Sequence, residues 1–423
     1  MSARIAADSS VESVRGTAWG RRSIAAVIFG DVPVLTTETP PPEPRPMEPE
    51  AAAAREPPAA GGRRRHFAVY LPALIGGGAE RVAALLATGL RAAGHRVTLV
   101  VDFEAAANDH LVDRGVERVT LAGVHASDVL RLAGFIRQQQ PDILLGIGSA
   151  TNIKLALAHV LARLGGPVRT RIVLSYHGPS NYGTGWLGWA GYPLAWLLTR
   201  YAACTVCVSD DLMHHLVEAW RGARERIVRI YNPVAVDRTR PVAGAGALAA
   251  RPPRVVAVGR LSTQKDYVTL IWAFAMLRRT DVRLSMYGEG PERRTLQQLA
   301  EQLGVARRID WRGYVREPWD AYVDARCFVL SSRNESFGNV VVEALASGLP
   351  VVSTACGGPN EILEGGRFGT LVPVGDACAL SLAMALTLEQ PGDPGPRVER
   401  AKDFAVPKIT ALYLAMFEEV LSA

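Results

Sequence analysis

From residue 66 onward, short runs of consecutive apolar residues alternate with amphipathic stretches. "HFAVYL" reads as a strand, "IGGG" as a turn, and "AERVAALLATGLRAAG" as an amphipathic helix closed by Gly94. "RVTLVV", "DILLGIG", "RIVLSYH" and "CTVCVS" follow as further strands, with helical stretches between them. Alternation of this kind predicts a parallel, doubly wound sheet. Residues 238–254, "RTRPVAGAGALAARPPR", break the pattern with glycine, alanine and proline and read as an interdomain linker. The alternation then restarts with "VVAVGR", "YVTLIWAFAML", "VRLSMYG", "RRTLQQLAEQLG", "RIDWRGYV", "RCFVLSS", "PVVST" and "GTLVPV".

The expected fold is therefore α/β, with two Rossmann-like doubly wound domains facing across a cleft. The first domain is placed at 66–240 and the second at 241–404, followed by an amphipathic helix over 405–423. Open sheets of this type bind ligands at the carboxyl ends of their strands, which makes the cleft the expected site. Residues 1–65 differ: "ETPPPEPRPMEPEAAAAREPPAAGGRRR" is rich in proline and alanine and cannot bury a core, so a disordered N-terminal extension is expected. No run of about twenty uncharged apolar residues occurs, and no transmembrane helix is expected.

Composition narrows the partners. A chain of 423 residues supports two substantial cores, and 48% hydrophobic content suits a soluble α/β protein. The formal charge of +6 and pI near 9.2 favour anionic ligands or an anionic membrane surface. No arginine-lysine stripe marks a nucleic-acid groove, so nucleic acid is not an expected partner. Five cysteines argue for a reducing, cytoplasmic setting rather than a disulfide framework. The pair Cys204 and Cys207 sits in a strand-like run with no second pair to complete a zinc site, so both read as core cysteines.

The stretch "SSRNESFGNVVVEALASG" (331–348) carries the most pointed chemistry. A strand ends, a polar turn follows, and a helix begins near Gly338 or Asn339. The free N–H groups at a helix start suit a phosphate. Glu343 lies about five residues further, about 7 Å along the axis, near the offset between a nucleotide's diphosphate and its ribose. Set among Val340, Val341, Val342, Ala344 and Leu345, its carboxylate suits either two ribose hydroxyls or a buried structural tie. Glu335, on the loop before the helix, faces whatever lies beyond the phosphate or is simply solvated. Arg260 and Lys265 in "VGRLSTQKDY" occupy the loop after the first strand of the second domain, where two cations can neutralise a diphosphate. Gly76, Gly77 and Gly78 permit close approach to the backbone, though a tight turn needs glycine anyway. His177 follows a strand end and can donate to a substrate oxygen, or serve structure alone. "GWLGWAGYPLAWLLTRYAAC" reads as a packed aromatic helix, with a membrane-interface patch as the alternative.

Taken in order, the glycine turn, His177, Arg260 with Lys265, and the two glutamates eight residues apart resemble the retaining glycosyltransferases of family 4, which have the GT-B fold. The resemblance spans about residues 66–423 and is strongest over "SSRNESFGNVVVEALASGLPVVSTACGGPNEIL". It implies that Glu335 contacts hydroxyls of the donor sugar and that Glu343 binds the ribose. It also implies that Ser336, Phe337, Gly338 and Asn339 surround the donor phosphates, while Arg260 and Lys265 support diphosphate departure. His177 then approaches the sugar near the reaction centre, Gly77 and Gly78 admit the donor or acceptor, and Tyr314 with Val315 holds the base through the backbone. The last helix resembles one that crosses back onto the first domain.

The implied co-substrate is a nucleotide-diphosphate sugar, a UDP-sugar by preference with GDP-mannose open, and the implied acceptor is a glycan or a polyprenyl-diphosphate-linked glycan. Peripheral contact with the inner face of the plasma membrane follows from such an acceptor. No Asp-x-Asp occurs in the chain, and no metal or other cofactor is expected. The rivals are a GT-B nucleotide-sugar epimerase, a non-catalytic sugar-nucleotide binding protein, and a glycoside hydrolase. The last fits poorly, because one carboxylate of its pair would lie inside an apolar helix beside a phosphate-type terminus.

Overall fold

The structure is a computed structural model that describes residues 63–423 except 106, 124–125, 179–187, 189, 240 and 242–243. Nearly all of the expected N-terminal extension thus lies outside the described residues. Seven strands build a first sheet: β1 (His66–Leu71), β2 (Arg96–Val101), β3 (Glu117–Thr120), β4 (Ile143–Ile147), β5 (Arg171–Tyr176), β6 (Cys204–Cys207) and β7 (Ile227–Arg229). Their order is β3-β2-β1-β4-β5-β6-β7, and every pairing is parallel. Six strands build a second: β8 (Arg254–Val258), β9 (Arg283–Tyr287), β10 (Ile309–Gly313), β11 (Cys327–Leu330), β12 (Val351–Thr354) and β13 (Thr370–Val372). The order β10-β9-β8-β11-β12-β13 is again wholly parallel. These are the two Rossmann-like parallel sheets that the alternating pattern predicts, and the arrangement that the resemblance to GT-B glycosyltransferases implies.

Two strands and one helix had no clear signal in the sequence pattern. β3 and β7 are short edge strands carrying charged residues, so neither shows a run of apolar positions. The segment read as a linker includes a short helix, Ala245–Ala249, whose Leu248 is fully buried. The aromatic stretch is helical over Ala195–Tyr201, with Tyr192 buried and Trp196 exposed; its other two tryptophans lie outside the described residues. Cys204 and Cys207 are both buried and free on β6. No helix among the described residues is long and apolar enough to cross a membrane.

Five helices position the site. Helix α1 (Gly78–Ala92) follows the glycine turn and buries Val82, Leu85, Leu86 and Leu90. Helix α2 (Asp210–Glu218) is capped by Ser209, whose hydroxyl accepts from the Leu212 N–H at 3.1 Å. Helix α3 (Tyr267–Met276) starts at Asp266, and helix α4 (Asn339–Ala346) starts at Gly338, which adopts φ +100° and ψ 58°. Helix α5 (Val406–Ser422) closes the chain.

Both sheets belong to one compact unit, and the seam between them is tied in several places. Glu361 of the second half accepts from the N–H groups of Asp210 and Asp211, each at 3.0 Å, at the start of α2. A carboxylate there satisfies free helix donors and opposes the helix dipole. Phe337 packs its ring 5.5 Å from that of Tyr231 and 5.6 Å from that of Phe404. Helix α5 lies against α1: the Phe417 and Phe67 rings are 5.0 Å apart, and Thr410 fills the space where a Gly89 side chain would stand. One apolar cluster consequently runs through both halves.

At the cleft edge of the second sheet, the loops after β8 and β9 nest together. The Leu261 N–H donates to the Glu289 carbonyl at 3.0 Å, and the Gly288 N–H donates to the Gly313 carbonyl at 2.7 Å. Gly288 has φ +139°, and a Cβ there would sit 1.9 Å from the Gly259 carbonyl oxygen. Neither the backbone nor the neighbour can yield cheaply. Gly288→Ala should therefore cost about 2–4 kcal/mol in a denaturant titration, and a loss below about 0.5 kcal/mol would contradict this packing.

Candidate functional site

The loop between β11 and α4 is held by its neighbours before it presents any side chain. The Glu335 N–H donates to the Cys356 carbonyl at 3.0 Å, and the Gly358 N–H donates to the Glu335 carbonyl at 2.9 Å. These bonds fix Glu335 as a buried carboxylate beside the cleft. Its Oε1 accepts from the Ser332 hydroxyl at 2.8 Å and pairs with Lys265 Nζ. The sequence pattern places Glu335 and Lys265 near different parts of a ligand; the structure joins them directly. Lys265 ends a short 3-10 turn after β8 and leads into Asp266, the left-handed residue that caps α3. Arg260, on the same loop, is exposed and has no ion-pair partner among the described residues.

The start of α4 offers donors. Among the described residues, no acceptor takes the backbone N–H groups of Phe337, Gly338 or Asn339. The Phe337 ring is committed to the aromatic cluster, so this residue presents its backbone to the cleft. Ser336 is buried beside it. Asn339 faces the first domain: its Oδ1 accepts from Asn232 Nδ2 at 3.0 Å, and its Nδ2 lies 3.6 Å from the position of a Gly78 Cβ. Gly77 and Gly78 are exposed at the head of α1.

Glu343, one turn along α4 from Asn339, has 3% of its surface exposed. Its Oε2 accepts from the Tyr322 hydroxyl at 2.9 Å, and its Oε1 lies 3.9 Å from Arg81 Nε on α1. Burial pushes the Glu343 carboxyl up, opposed by Arg81 and Tyr322. The side chain thus points to the interdomain seam and not into the core of the second domain. Tyr314 follows β10 and is exposed, its hydroxyl 3.3 Å from the position of a Gly76 Cβ; Val315 beside it is partly buried.

His177 follows β5 on the first-domain side. Its Nε2 shares a short hydrogen bond with the Ser175 hydroxyl. Burial pushes the ring down to about 4, with the Asn232 side chain pulling the other way. His177 is neutral near pH 7 for that reason. Asn232 therefore borders both His177 and Asn339 and links the two sides of the cleft.

The structure thus gathers Glu335 with Lys265, and Asn339 and Glu343 with the α1 turn. Four participants were not singled out from the sequence: Arg81, Asn232, Tyr322 and Glu361. Their partners lie from 21 to more than 100 residues away, and no local pattern announces such contacts. The charge within an apolar helix was the one available hint, since a buried carboxylate requires partners.

Comparison with known proteins places the chain among glycosyltransferases. Residues 76–238 match the profile of Glycosyltransferase Family 4, and residues 244–405 match that of glycosyl transferases group 1. The lipopolysaccharide core biosynthesis glycosyltransferase LpsE of Rhizobium meliloti is 29% identical over 318 residues, which cover 71% of this chain and 82% of LpsE. A GDP-mannose-dependent alpha-(1-6)-phosphatidylinositol monomannoside mannosyltransferase of Mycolicibacterium smegmatis is 32% identical over 56% of this chain, which spans just under two thirds (65%) of that protein. Among solved structures, Anabaena HepE in complex with UDP and glucose superposes with a TM-score of 0.71 at 19% identity, covering 84% of this chain and 100% of that one.

The low His177 pKa has a measurable consequence. The unfolded ring titrates near the ordinary 6.5, whereas the folded ring resists protonation down to about 4. The unfolded state binds more protons in that window, so stability falls as pH drops from 6.5 toward 4. Denaturation across this range should show the wild type losing about 2 kcal/mol more than a His177→Gln variant. Equal pH slopes for the two proteins would contradict a partly buried ring held neutral.

Proposed function

The chain belongs to glycosyltransferase family 4 and carries the GT-B fold, and from that premise we propose that it transfers a hexose from a nucleotide-diphosphate sugar, with retention, to a glycan or lipid-linked acceptor of the cell envelope. The observation that carries the reading is the placement of Glu335, the free N–H groups at the start of α4, and Glu343 in sequence along one side of the cleft. In this reading the diphosphate meets those N–H groups together with Arg260 and Lys265. These cations and the helix dipole supply the charge that stabilises a departing diphosphate.

Glu343 accepts from the ribose hydroxyls and Glu335 from hydroxyls of the sugar. Ser332 and Lys265 orient the Glu335 carboxylate before any sugar arrives. His177, neutral at working pH, donates to the sugar near its reacting carbon. Tyr314 and Val315 flank the base, and Gly77 and Gly78 leave room for the donor at the head of α1. No metal is assigned a role, because Arg260, Lys265 and the helix start already oppose the diphosphate charge. UDP is the preferred nucleotide, supported by the fold shared with HepE, which was solved with UDP and glucose. An envelope acceptor is supported by the similarity to LpsE, and it would bring the enzyme to the inner face of the plasma membrane.

A screen of UDP- and GDP-sugars for binding and turnover, followed by acceptor trials with the winning donor, tests this function. Glu335→Gln should fold normally and lose about 100-fold or more in kcat. Wild-type turnover by that variant would remove Glu335 from the mechanism. Isomerisation of the donor without any acceptor would favour the epimerase instead.

A further inference from the structure

Helices α1 and α4 present matched faces across the cleft. Gly78 and Arg81, three residues apart, share one face of α1; Asn339 and Glu343, four apart, share one face of α4. Asn339 stands against Gly78, and Arg81 stands against Glu343 at 3.9 Å. That distance is too long for a hydrogen bond. The guanidinium is nevertheless mostly buried, with 14% of the side chain exposed, and its Nη2 has no hydrogen-bond partner among the described residues. Arg81 is thus a largely enclosed cation with donors unused, facing the carboxylate assigned to the ribose. An arginine so placed gains a great deal from an incoming anion, because a planar fork of donors matches phosphate oxygens.

We propose that Arg81 is a nucleotide-contacting residue supplied by the first domain, donating to the α-phosphate of a bound nucleoside diphosphate while Glu343 holds the ribose. The proposal rests on the donor assignment above. The α-phosphate is attached to the ribose through O5′, so a cation beside the ribose carboxylate meets that phosphate before the outer one. The donor site then spans both domains, with α4 and the loop after β8 on one side and Arg81 on the other. The alternative, a structural arginine that only orients Glu343, makes a different prediction: its loss would weaken binding of every ligand that uses the ribose hydroxyls.

Calorimetric binding of uridine, UMP and UDP to the full-length wild type, Arg81→Gln and Arg81→Lys separates the two, with guanosine, GMP and GDP used in parallel. Arg81→Gln should weaken UMP and UDP by about tenfold or more while changing uridine by less than about threefold. Arg81→Lys, which keeps the charge, should recover most of the phosphate-dependent affinity and guards against misfolding of the glutamine variant. Equal weakening of uridine, UMP and UDP, or unchanged UDP binding, would overturn the phosphate contact while leaving the donor reading intact. Failure of the wild type to bind either UDP or GDP would overturn both.

Discussion

A carboxylate buried in an apolar helix must be compensated, and the compensation of Glu343 organises the cleft around it. Helix α4 buries Val341, Val342, Ala344 and Leu345 on its other sides, so the glutamate cannot withdraw without dismantling a core. Its two oxygens meet Tyr322 from the second domain and Arg81 from the first. The same helix begins at Gly338 in a left-handed conformation, which lets the chain turn from the pinned Glu335 loop into α4 with its first N–H groups facing the seam. Position of the loop, direction of the helix and burial of the charge are therefore one arrangement.

That arrangement needs the two domains held in register, and the ties at the seam provide it. Glu361 caps a first-domain helix from the second domain, Asn232 bridges to Asn339, and α5 returns to pack on α1. Around the proposed donor, Arg81, Arg260 and Lys265 oppose Glu335 and Glu343, a local balance that favours a further anion. Lys265 is paired with Glu335 and Arg81 stands 3.9 Å from Glu343 with donors to spare, while Arg260 is exposed and has no ion-pair partner among the described residues.

Much of the fold was legible because central parallel strands are buried on both faces and appear as unbroken apolar runs. β1, β2, β4 and β8 show this plainly. β3 and β7 were not legible, since edge strands of four and three residues with charged members carry no such run. At the site, the residues on cleft loops could be named from glycine turns, strand ends and the misplaced charge in α4. Their pairings could not. Lys265 and Glu335 are 70 residues apart and Asn232 and Asn339 are 107 apart, so only the packed seam brings them together.

The most direct test of the account is the coupling between Glu343 and the ribose hydroxyls of the donor. Affinities of UDP and 2′,3′-dideoxy-UDP would be measured for the wild type and for Glu343→Ala, closing a cycle between ligand and side chain. Removing the hydroxyls should weaken binding to the wild type by about tenfold or more and to the variant by less than about twofold. Equal losses in both proteins would show that Glu343 does not hold the ribose.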